Sequence, residues 1–600
     1  MSVEQYHDAS RIAGPLTPST GRVRFRRVLS TRERATVTAL GVGHAALVLA
    51  FCTYLAWPSH LPVLSGHALA YQVASVLGVV MILGLQVVQL LGTLSTVNFA
   101  VRAVDPVPVV PRSGLRVAML TTVVPSKEPW EVVERTLLKF LDQRYDGHVD
   151  AWVLDEGDDP AVRARCAELG IKHFSRAGVP QWNTESGPFR ARTKHGNHNA
   201  WRAAHEHEYD VVTQMDPDHT PLDSDDFLER VLGYFEDPDV AFVVAPQVYA
   251  NAERDGIVAK GSAELAYSFH GIVQRGANAL GAAVLIGTNH AYRPSAWQQI
   301  GGYQDCIIED HLTAMEVAAA VNPATGNRWR GVYTPDVLTA GEGPSTWTDF
   351  FSQQRRWAYG IFEIATRRTP RALRTLSWGQ RVSFASLQFF YPSVALTWLM
   401  GNALSALYLV GGVSSSRLQL APWLLLFLTS TAASLAVGFW LRRFNLVEHE
   451  RRSWGTAGLF LNLVTAPVYL AAGFAQLTGR PLAYKVTAKG RLSSGDSLRT
   501  FRVHLLWVVF ALACVAVGLL RGNTYPTLHF WMLVTAATCA APVVVWWRGR
   551  RRSAVAVPAP VPARVIDLRD GAVPASSQDV TVPAGALPAP RGTQESGVRA

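Results

Sequence analysis

The pattern of apolar and polar positions divides the chain into stretches of different kinds. Two long uncharged runs come early, Ala35–Trp57 with 23 residues and Ala70–Leu91 with 22. As helices, both can cross about 30 Å of hydrocarbon. Four more runs, Phe389–Val410, Pro422–Leu441, His504–Leu520 and Leu528–Trp547, follow late in the chain. Between the two groups, residues 112–370 have an ordinary soluble composition. Over 116–250 short apolar runs alternate with helical spacing: Val117–Val124, Val149–Leu154, Asp210–Met215 and Ala241–Ala245 read as buried strands, and Trp130–Asp142 as a helix. This alternation predicts a parallel sheet with helices on both faces. In such sheets ligands bind beyond the carboxyl ends of the strands.

Composition agrees with a membrane part joined to a soluble part. The 600 residues are 49% hydrophobic and only 17% charged, against about 25% charged in a typical soluble chain. The formal charge of +10 would suit nucleic acid, but the arginines flank the apolar runs instead of forming one basic face. Arg22, Arg24, Arg26, Arg27, Arg32 and Arg34 precede the first run with Glu33 as the one acid among them. Positive flanks stay on the cytoplasmic side, so the expected topology is multi-pass, in the plasma membrane, with both termini and the soluble block in the cytoplasm. Gly455–Gln476 is apolar, but both its flanks are basic, with Arg442, Arg443, Arg451 and Arg452 before it and Arg480, Lys485, Lys489, Arg491, Arg499 and Arg502 after it. It is expected to lie at the inner interface, leaving six crossings, with a seventh crossing as the alternative reading. The first 20 residues and the Pro/Ala-rich tail 553–600 read as disordered. The cysteines Cys52, Cys166, Cys306, Cys514 and Cys539 show no metal or disulfide spacing.

Acidic residues stand at two of the expected strand ends, in Asp155-Glu156-Gly157 and Asp216-Pro217-Asp218. A single acid after a strand serves equally well as a turn residue. Two carboxylates flanking one residue can converge on a divalent cation such as Mg²⁺, which takes oxygen ligands and keeps contacts to substrate phosphates. Glu309-Asp310 opens the helix-like stretch to Ala320, where acids also belong on electrostatic grounds alone. Phe350, Trp357, Ile361 and Ile364 keep helical spacing and predict an amphipathic helix at the membrane surface. The histidines of the block, among them His195, His198, His219, His290 and His311, take a bland reading first, with a zinc site from some of them as the weaker alternative, since no HExxH pattern or cysteine partner accompanies them.

In chain order, Asp155, Asp216-x-Asp218, Glu309-Asp310 and Gln353-Gln354-Arg355-Arg356-Trp357 form a constellation that resembles the processive family 2 glycosyltransferases, the group of cellulose, hyaluronan and chitin synthases. Lys194-His195-Gly196-Asn197, Gly287-Thr288-Asn289 and Tyr484-Lys485-Val486-Thr487-Ala488-Lys489-Gly490 are similar to further motifs of that family, the last to a gating segment. Ile308 before Glu309 and the stretch Pro125-Ser126-Lys127-Glu128 depart from the cellulose synthase pattern.

The resemblance implies an α/β, GT-A-like Rossmann-type domain inserted between transmembrane helices. The expected order is a basic tail 1–34, two membrane helices over 35–92, the glycosyltransferase domain 112–345 and amphipathic interface helices 346–385. A membrane region over 389–547 follows, with four crossings, the interface helix 455–476 and the gating segment 480–502. It further implies an inverting hexosyltransferase that polymerises a β-linked glycan from a nucleotide sugar, a UDP-sugar such as UDP-glucose, and moves the product across the membrane. Asp310 would be the base with Glu309 beside it, and Asp216 and Asp218 would hold Mg²⁺ or Mn²⁺. Asp155, Glu128, Lys194, Gln353, Arg356 and Trp357 would contact substrate. The implied partners are the donor, the growing glycan, membrane lipids and cell-envelope export proteins, with no nucleic acid. Two rival readings are transfer of a single sugar to a lipid carrier and a non-catalytic scaffold of an export complex.

Overall fold

The computed structural model describes residues 6, 8–223, 226–482 and 494–555. The gating-like stretch Tyr484–Gly490 and the tail beyond 555 lie outside the described residues.

The chain opens with a short strand β1 (Phe25–Arg27) and two long helices, α1 (Thr31–Leu55) and α2 (Leu69–Arg102). Ser30 and Glu33 form a reciprocal cap at the start of α1, satisfying backbone donors that a helix start leaves open. β2 (Val104–Pro106) pairs with β1 and leads into the soluble block. There β3 (Arg116–Val123), α3 (Trp130–Leu141), β4 (His148–Asp155), α4 (Pro160–Leu169), β5 (Lys172–Phe174), α5 (Lys194–His205), β6 (Val211–Met215), β7 (Thr220–Pro221), α6 (Asp226–Leu232) and β8 (Val240–Val244) follow in turn. Next come α7 (Gly256–Ser268), α8 (Gln274–Ala279), β9 (His290–Tyr292), α9 (Pro294–Gln299), α10 (Glu309–Ala319), β10 (Arg330–Tyr333) and β11 (Thr339–Ala340). The remainder is helical: α11 (Trp347–Glu363), α12 (Thr369–Ala372), α13 (Trp378–Leu409), α14 (Leu420–Leu441), α15 (Glu448–Arg452), α16 (Thr456–Leu477), α17 (Arg502–Leu520) and α18 (Pro526–Val555).

The main sheet runs β10-β8-β9-β6-β3-β4-β5. Its strands are apolar on both faces, as their uninterrupted Val-rich sequences require when helices cover both sides; β6 and β8 are buried at every position. The expected all-parallel sheet is corrected at one strand. β9 runs antiparallel between β6 and β8. At three residues it is too short to show a strand period, and its direction brings the preceding Gly287-Thr288-Asn289 to the carboxyl edge of β6.

Among the described residues, six helices are long and apolar enough to cross a membrane: Thr31–Leu55, Leu69–Arg102, Leu420–Phe444, Thr456–Leu477, Leu498–Leu520 and Pro526–Arg550. Leu49, Leu425, Leu506 and Val509 on these helices are 63–70% exposed in the absence of lipid, an apolar surface suited to hydrocarbon and not to water. By length and apolarity this set contains α16, the expected interface helix, and lacks α13, an expected crossing. α13 carries Gln380, Gln388, Asn402, Ser405 and Pro392, which lower its mean hydropathy. α16 differs from the other five in packing: 61% of its apolar window is buried, against 17–33% for them. Its Leu461 sits against Gly261 of α7, and its Gly473 against Phe362 of α11.

The N-terminal residues also depart from expectation. Tyr6, Ala9 and Ala13 are buried against the soluble block, so residues 8–20 are an ordered arm and not a disordered tail. The reason lies in the packing: Tyr6 and Ala9 join a cluster with Tyr249, Tyr267 and Val337, and the Ala13 amide donates to Asp336.

The soluble block and the helical region are joined through a buried ion pair. Arg275, before the end of α8, donates Nε and Nη2 to Asp105 of β2, each at 2.6 Å, and Nη1 to the Phe444 carbonyl beyond α14 at 3.2 Å. Both charged groups are buried, so removing one strands the other. Asp105→Leu should therefore destabilise the protein by about 3–5 kcal/mol, read as a fall in denaturation midpoint of the detergent-solubilised chain.

Candidate functional site

The carboxyl ends of β3, β4 and β6 lie side by side, and the segments leaving them form the site. β6 ends at Met215, and Asp216 follows with its backbone amide donating to Thr288 Oγ1 at 2.9 Å. Asp216, Asp218 and His219 offer ligand atoms that all lie within 4.8 Å of one another. Asp218 is buried and its Oδ2 accepts from the Glu342 amide at 3.2 Å. His219 is fully buried, and neither ring nitrogen has a hydrogen-bond partner among the described residues. A buried polar group without a partner is costly. Two carboxylates and an imidazole form a donor set suited to a divalent cation. Gly341 presses on the ring of His219; a Cβ there would lie 2.4 Å from it.

Lys194 opens α5, where Thr193 caps the helix by accepting from the Gly196 amide at 3.2 Å. Its ammonium donates to Asp216 Oδ1 and to the Gly287 carbonyl. Gly287 holds φ +79°, in the left-handed region, and a Cβ there would stand 3.3 Å from Asp310 Oδ2. Asn289 holds φ +53°, fixed by its side-chain amide donating to the Pro246 carbonyl at 3.1 Å. The Gly287–Asn289 turn therefore touches the Asp216 side and the Asp310 side of the same pocket.

Glu309 and Asp310 form the first turn of α10. Burial pushes the Asp310 carboxyl up to about 6, against the pull of the His311 amide and of the positive charges on Lys194 and Arg356. Burial, then the neighbouring Asp310 charge, raises Glu309 as well. The His311 amide donates to Asp310 Oδ1 at 2.7 Å. The His311 ring is buried, which lowers it to about 4 and leaves it neutral at pH 7. Gln388 of α13 donates to His311 Nε2 at 3.2 Å, while its own oxygen accepts from Thr369 at 2.7 Å. The start of α10 is thereby tied to α12 and α13.

α11 presents the Gln353–Trp357 stretch. Gly360 packs on Ile308, the residue before Glu309, and Trp357 joins the same apolar cluster as Ile308. Arg356 lies near enough to act on the Asp310 charge. Gln353 is half-buried, and Gln354 accepts from Tyr469 of α16 at 2.7 Å. The α11 start is held by Asp496, whose carboxylate accepts from the amides of Trp347 and Thr348 at 3.2 and 2.8 Å.

Asp216, Asp218, Lys194 and Asp310 thus converge, with Glu309 next to Asp310 and Arg356 near enough to act on its charge, while Trp357 packs on the apolar cluster that contains Ile308. Asp155 and Glu128 turn inward instead. Asp155 has no exposed side-chain surface; its oxygens accept from the Gly157 and Asp159 amides at 2.8 and 2.6 Å, the turn role open to any acid after a strand. Glu128 accepts from the Val124 amide at 2.8 Å and closes its own loop. The structure adds groups that the sequence did not single out. His219 was set aside with the other histidines, although its place directly after Asp218 was a usable signal. Arg176, 1% exposed, donates to Glu156 at 3.0 and 2.7 Å and to the carbonyls of Trp182, Arg190 and Thr193, fixing the loop before Lys194. No short-range pattern marks such a hub.

Residues 211–547 match the model of the glycosyl transferase family group 2. The cellulose synthase catalytic subunit [UDP-forming] of Xanthomonas axonopodis pv. citri is 29% identical over 277 residues, covering 44% of this chain and 34% of the relative. Cellulose synthase 1 of Komagataeibacter xylinus is 27% identical over 239 residues, 39% of this chain and 14% of the relative. The chain thus spans well under half the length of these relatives. A probable glucomannan 4-beta-mannosyltransferase of Arabidopsis thaliana is 22% identical over 410 residues, covering 64% and 69%. Among solved structures, the mannosyltransferase PcManGT from Pyrobaculum calidifontis, in complex with GDP-Man and Mn²⁺, aligns with a TM-score of 0.42 at 15% identity, covering 75% of this chain and 99% of that one.

The donor geometry sets a test of its own. Asp218→Asn should weaken binding of Mn²⁺ about tenfold or more, and His219→Ala by a similar factor, measured by electron paramagnetic resonance of free Mn²⁺ in titrations of the purified protein.

Proposed function

The chain belongs to the glycosyl transferase family group 2, and from that we propose that it is a membrane hexosyltransferase, which extends a β-linked glycan from a nucleotide sugar with inversion at the anomeric carbon. The observation that carries this reading is the pocket in which Gly287 joins Lys194 and Asp216 on one side to Asp310 on the other. One side suits a diphosphate and the other suits a hydroxyl.

In this reading Asp216, Asp218 and His219 hold a divalent cation, Mg²⁺ or Mn²⁺. When bound, such an ion neutralises charge developing on a diphosphate leaving group. Lys194 adds a positive charge beside it, and Arg356 can meet phosphate oxygens with a planar fork of donors. Asp310 accepts the proton of the attacking hydroxyl as the new glycosidic bond forms and the bond to the diphosphate breaks. Its pKa near 6 leaves it ionised at pH 7 yet basic enough for the task. With Glu309 it shares one buried site, where two negative charges disfavour each other. Attack by the hydroxyl itself, without a covalent sugar intermediate, inverts the centre. Trp357 offers an apolar face to the acceptor sugar, and Gln353 lies on the same helix, four residues earlier. Asp155 and Glu128 act by shaping the loops at the ends of β4 and β3 around the nucleotide.

The buried face of α16 supports its placement at the inner membrane interface, with α11 and the soluble block below it. We assign the block and both termini to the cytoplasm from the arginines that flank the apolar helices. Polymerisation, export through the helical region, a UDP-sugar as donor, and contacts with membrane lipids and envelope partners belong to the same proposal.

Incubation with labelled UDP- and GDP-sugars and Mn²⁺, followed by sizing of the product, tests it. A polymer is expected; a single-sugar lipid product would replace it with the simpler transfer reaction. Asp310→Asn should lower the transfer rate by about 10²–10⁴-fold. The charged form of Asp310 is the one burial disfavours, so folding favours its protonated form and stability declines as pH rises through about 6. The Asn variant should therefore melt no lower than the parent at pH 8. Transfer by the parent protein should fall as pH drops below about 6, because the base is then protonated; a flat rate between pH 5 and 8 would remove Asp310 from that role.

A further inference from the structure

The ordered N-terminal arm touches the rest of the molecule at places that concern the acidic cluster. Tyr6, 1% exposed, donates its hydroxyl to the Tyr249 carbonyl at 3.3 Å. The Ala9 carbonyl accepts from the Val337 amide at 2.9 Å. The Ala13 amide donates to Asp336 Oδ1 at 2.7 Å, and Arg230 donates to the Gly14 carbonyl at 2.7 Å while pairing with Asp336 at 2.8 Å. Arg230 and Asp336 are buried, so the arm is pinned by a desolvated ion pair, which holds geometry tightly.

The two segments the arm holds, at Tyr249 and at Asp336–Val337, lead to the residues that touch the cluster. Residues Thr339 and Ala340 of β11 pair with Pro221 and Thr220 of β7, directly after His219. Gly341 donates to the Val248 carbonyl at 3.0 Å and accepts from the Ala250 amide at 2.9 Å. The same Gly341 bears on the His219 ring, and the next amide, of Glu342, donates to Asp218 Oδ2. From Tyr6 to His219 the route therefore crosses one backbone bridge, between Tyr249 and Gly341, and from Ala13 to Asp218 it follows the short run Asp336–Glu342.

We infer that the N-terminal arm, through Tyr6 and residues 8–14, is a positioning element for the cation cluster, setting the approach of His219 and Asp218 to one another from behind. This rests on the proposed cation role of the cluster. Groups that orient metal ligands without touching the ion commonly change affinity by about 10–100-fold when removed. Tyr6 and Ala13 act here through backbone that in turn touches the ligands.

The test is direct Mn²⁺ titration by electron paramagnetic resonance on the full chain, on Tyr6→Ala, on Tyr6→Phe, and on a chain lacking residues 2–14. Tyr6→Ala and the shortened chain should bind Mn²⁺ about tenfold more weakly, while Tyr6→Phe, which keeps the packed ring, should stay within about threefold of the parent. If Tyr6→Ala binds Mn²⁺ as the parent does while its melting midpoint falls, the arm is a structural brace only and the inference is overturned. Should the shortened chain fail to fold, the two Tyr6 variants decide alone. A parent protein that binds no Mn²⁺ would overturn the cation reading and this inference together; tight parental binding matched by Tyr6→Ala overturns the inference alone.

Discussion

The ammonium of Lys194, shared between Asp216 and the Gly287 carbonyl, is the contact on which the pocket depends. It neutralises one acid of the cluster and fixes a turn that stands in van der Waals reach of a second acid 23 residues later, Asp310. Without it, Asp216 and the Asp310 turn would carry uncompensated negative charge within one enclosed space. The burial that raises Asp310 would also be harder to sustain, because after the His311 amide the charge of Lys194, with Arg356, helps hold its carboxyl down to about 6. The surrounding fold serves that contact: Arg176 shapes the loop before Lys194, β9 delivers Gly287, and α11 brings Arg356.

Much of this was legible in the chain itself. The strands around 117–123, 149–154 and 211–215 follow from short apolar runs, the last two ending in acids, and α3 from its spacing. The long apolar helices follow from length and charge alone. Pairing Asp216 with Asp218 and placing Arg356 near Asp310 came from the order of motifs, and the geometry brings these residues together. What the sequence concealed has specific causes. β9 is only three residues long, and its direction is set by neighbours far away in the chain. The arm's order comes from three small or aromatic side chains finding a distant surface, which no local pattern records. Asp155 and Glu128 also accept from backbone amides two to four residues away, a local role that the motif order does not reveal.

The contrast between α13 and α16 has a related origin. Hydropathy measures what a helix could tolerate, not what covers it. α13 carries amides that find partners within the protein, as Gln380 does with the carbonyls of Gly281 and Ala318 at 3.1 and 3.0 Å. α16 is apolar because it is buried by protein on most of its surface, and an apolar face satisfied by protein looks the same in one dimension as a face satisfied by lipid.

That embrace has a practical outcome for anyone hoping to work with the water-facing half alone. Glu264 of α7 caps the start of α16 through the Gly458 amide at 2.6 Å, and Val258, Phe350 and Phe351 pack with Leu461, Val464 and Val468 in one cluster. Cutting the chain before 389 would leave a sticky stripe along α7 and α11 and a carboxylate facing nothing. The excised fragment would clump rather than dissolve, so the minimal tractable unit of this molecule extends at least through Leu477.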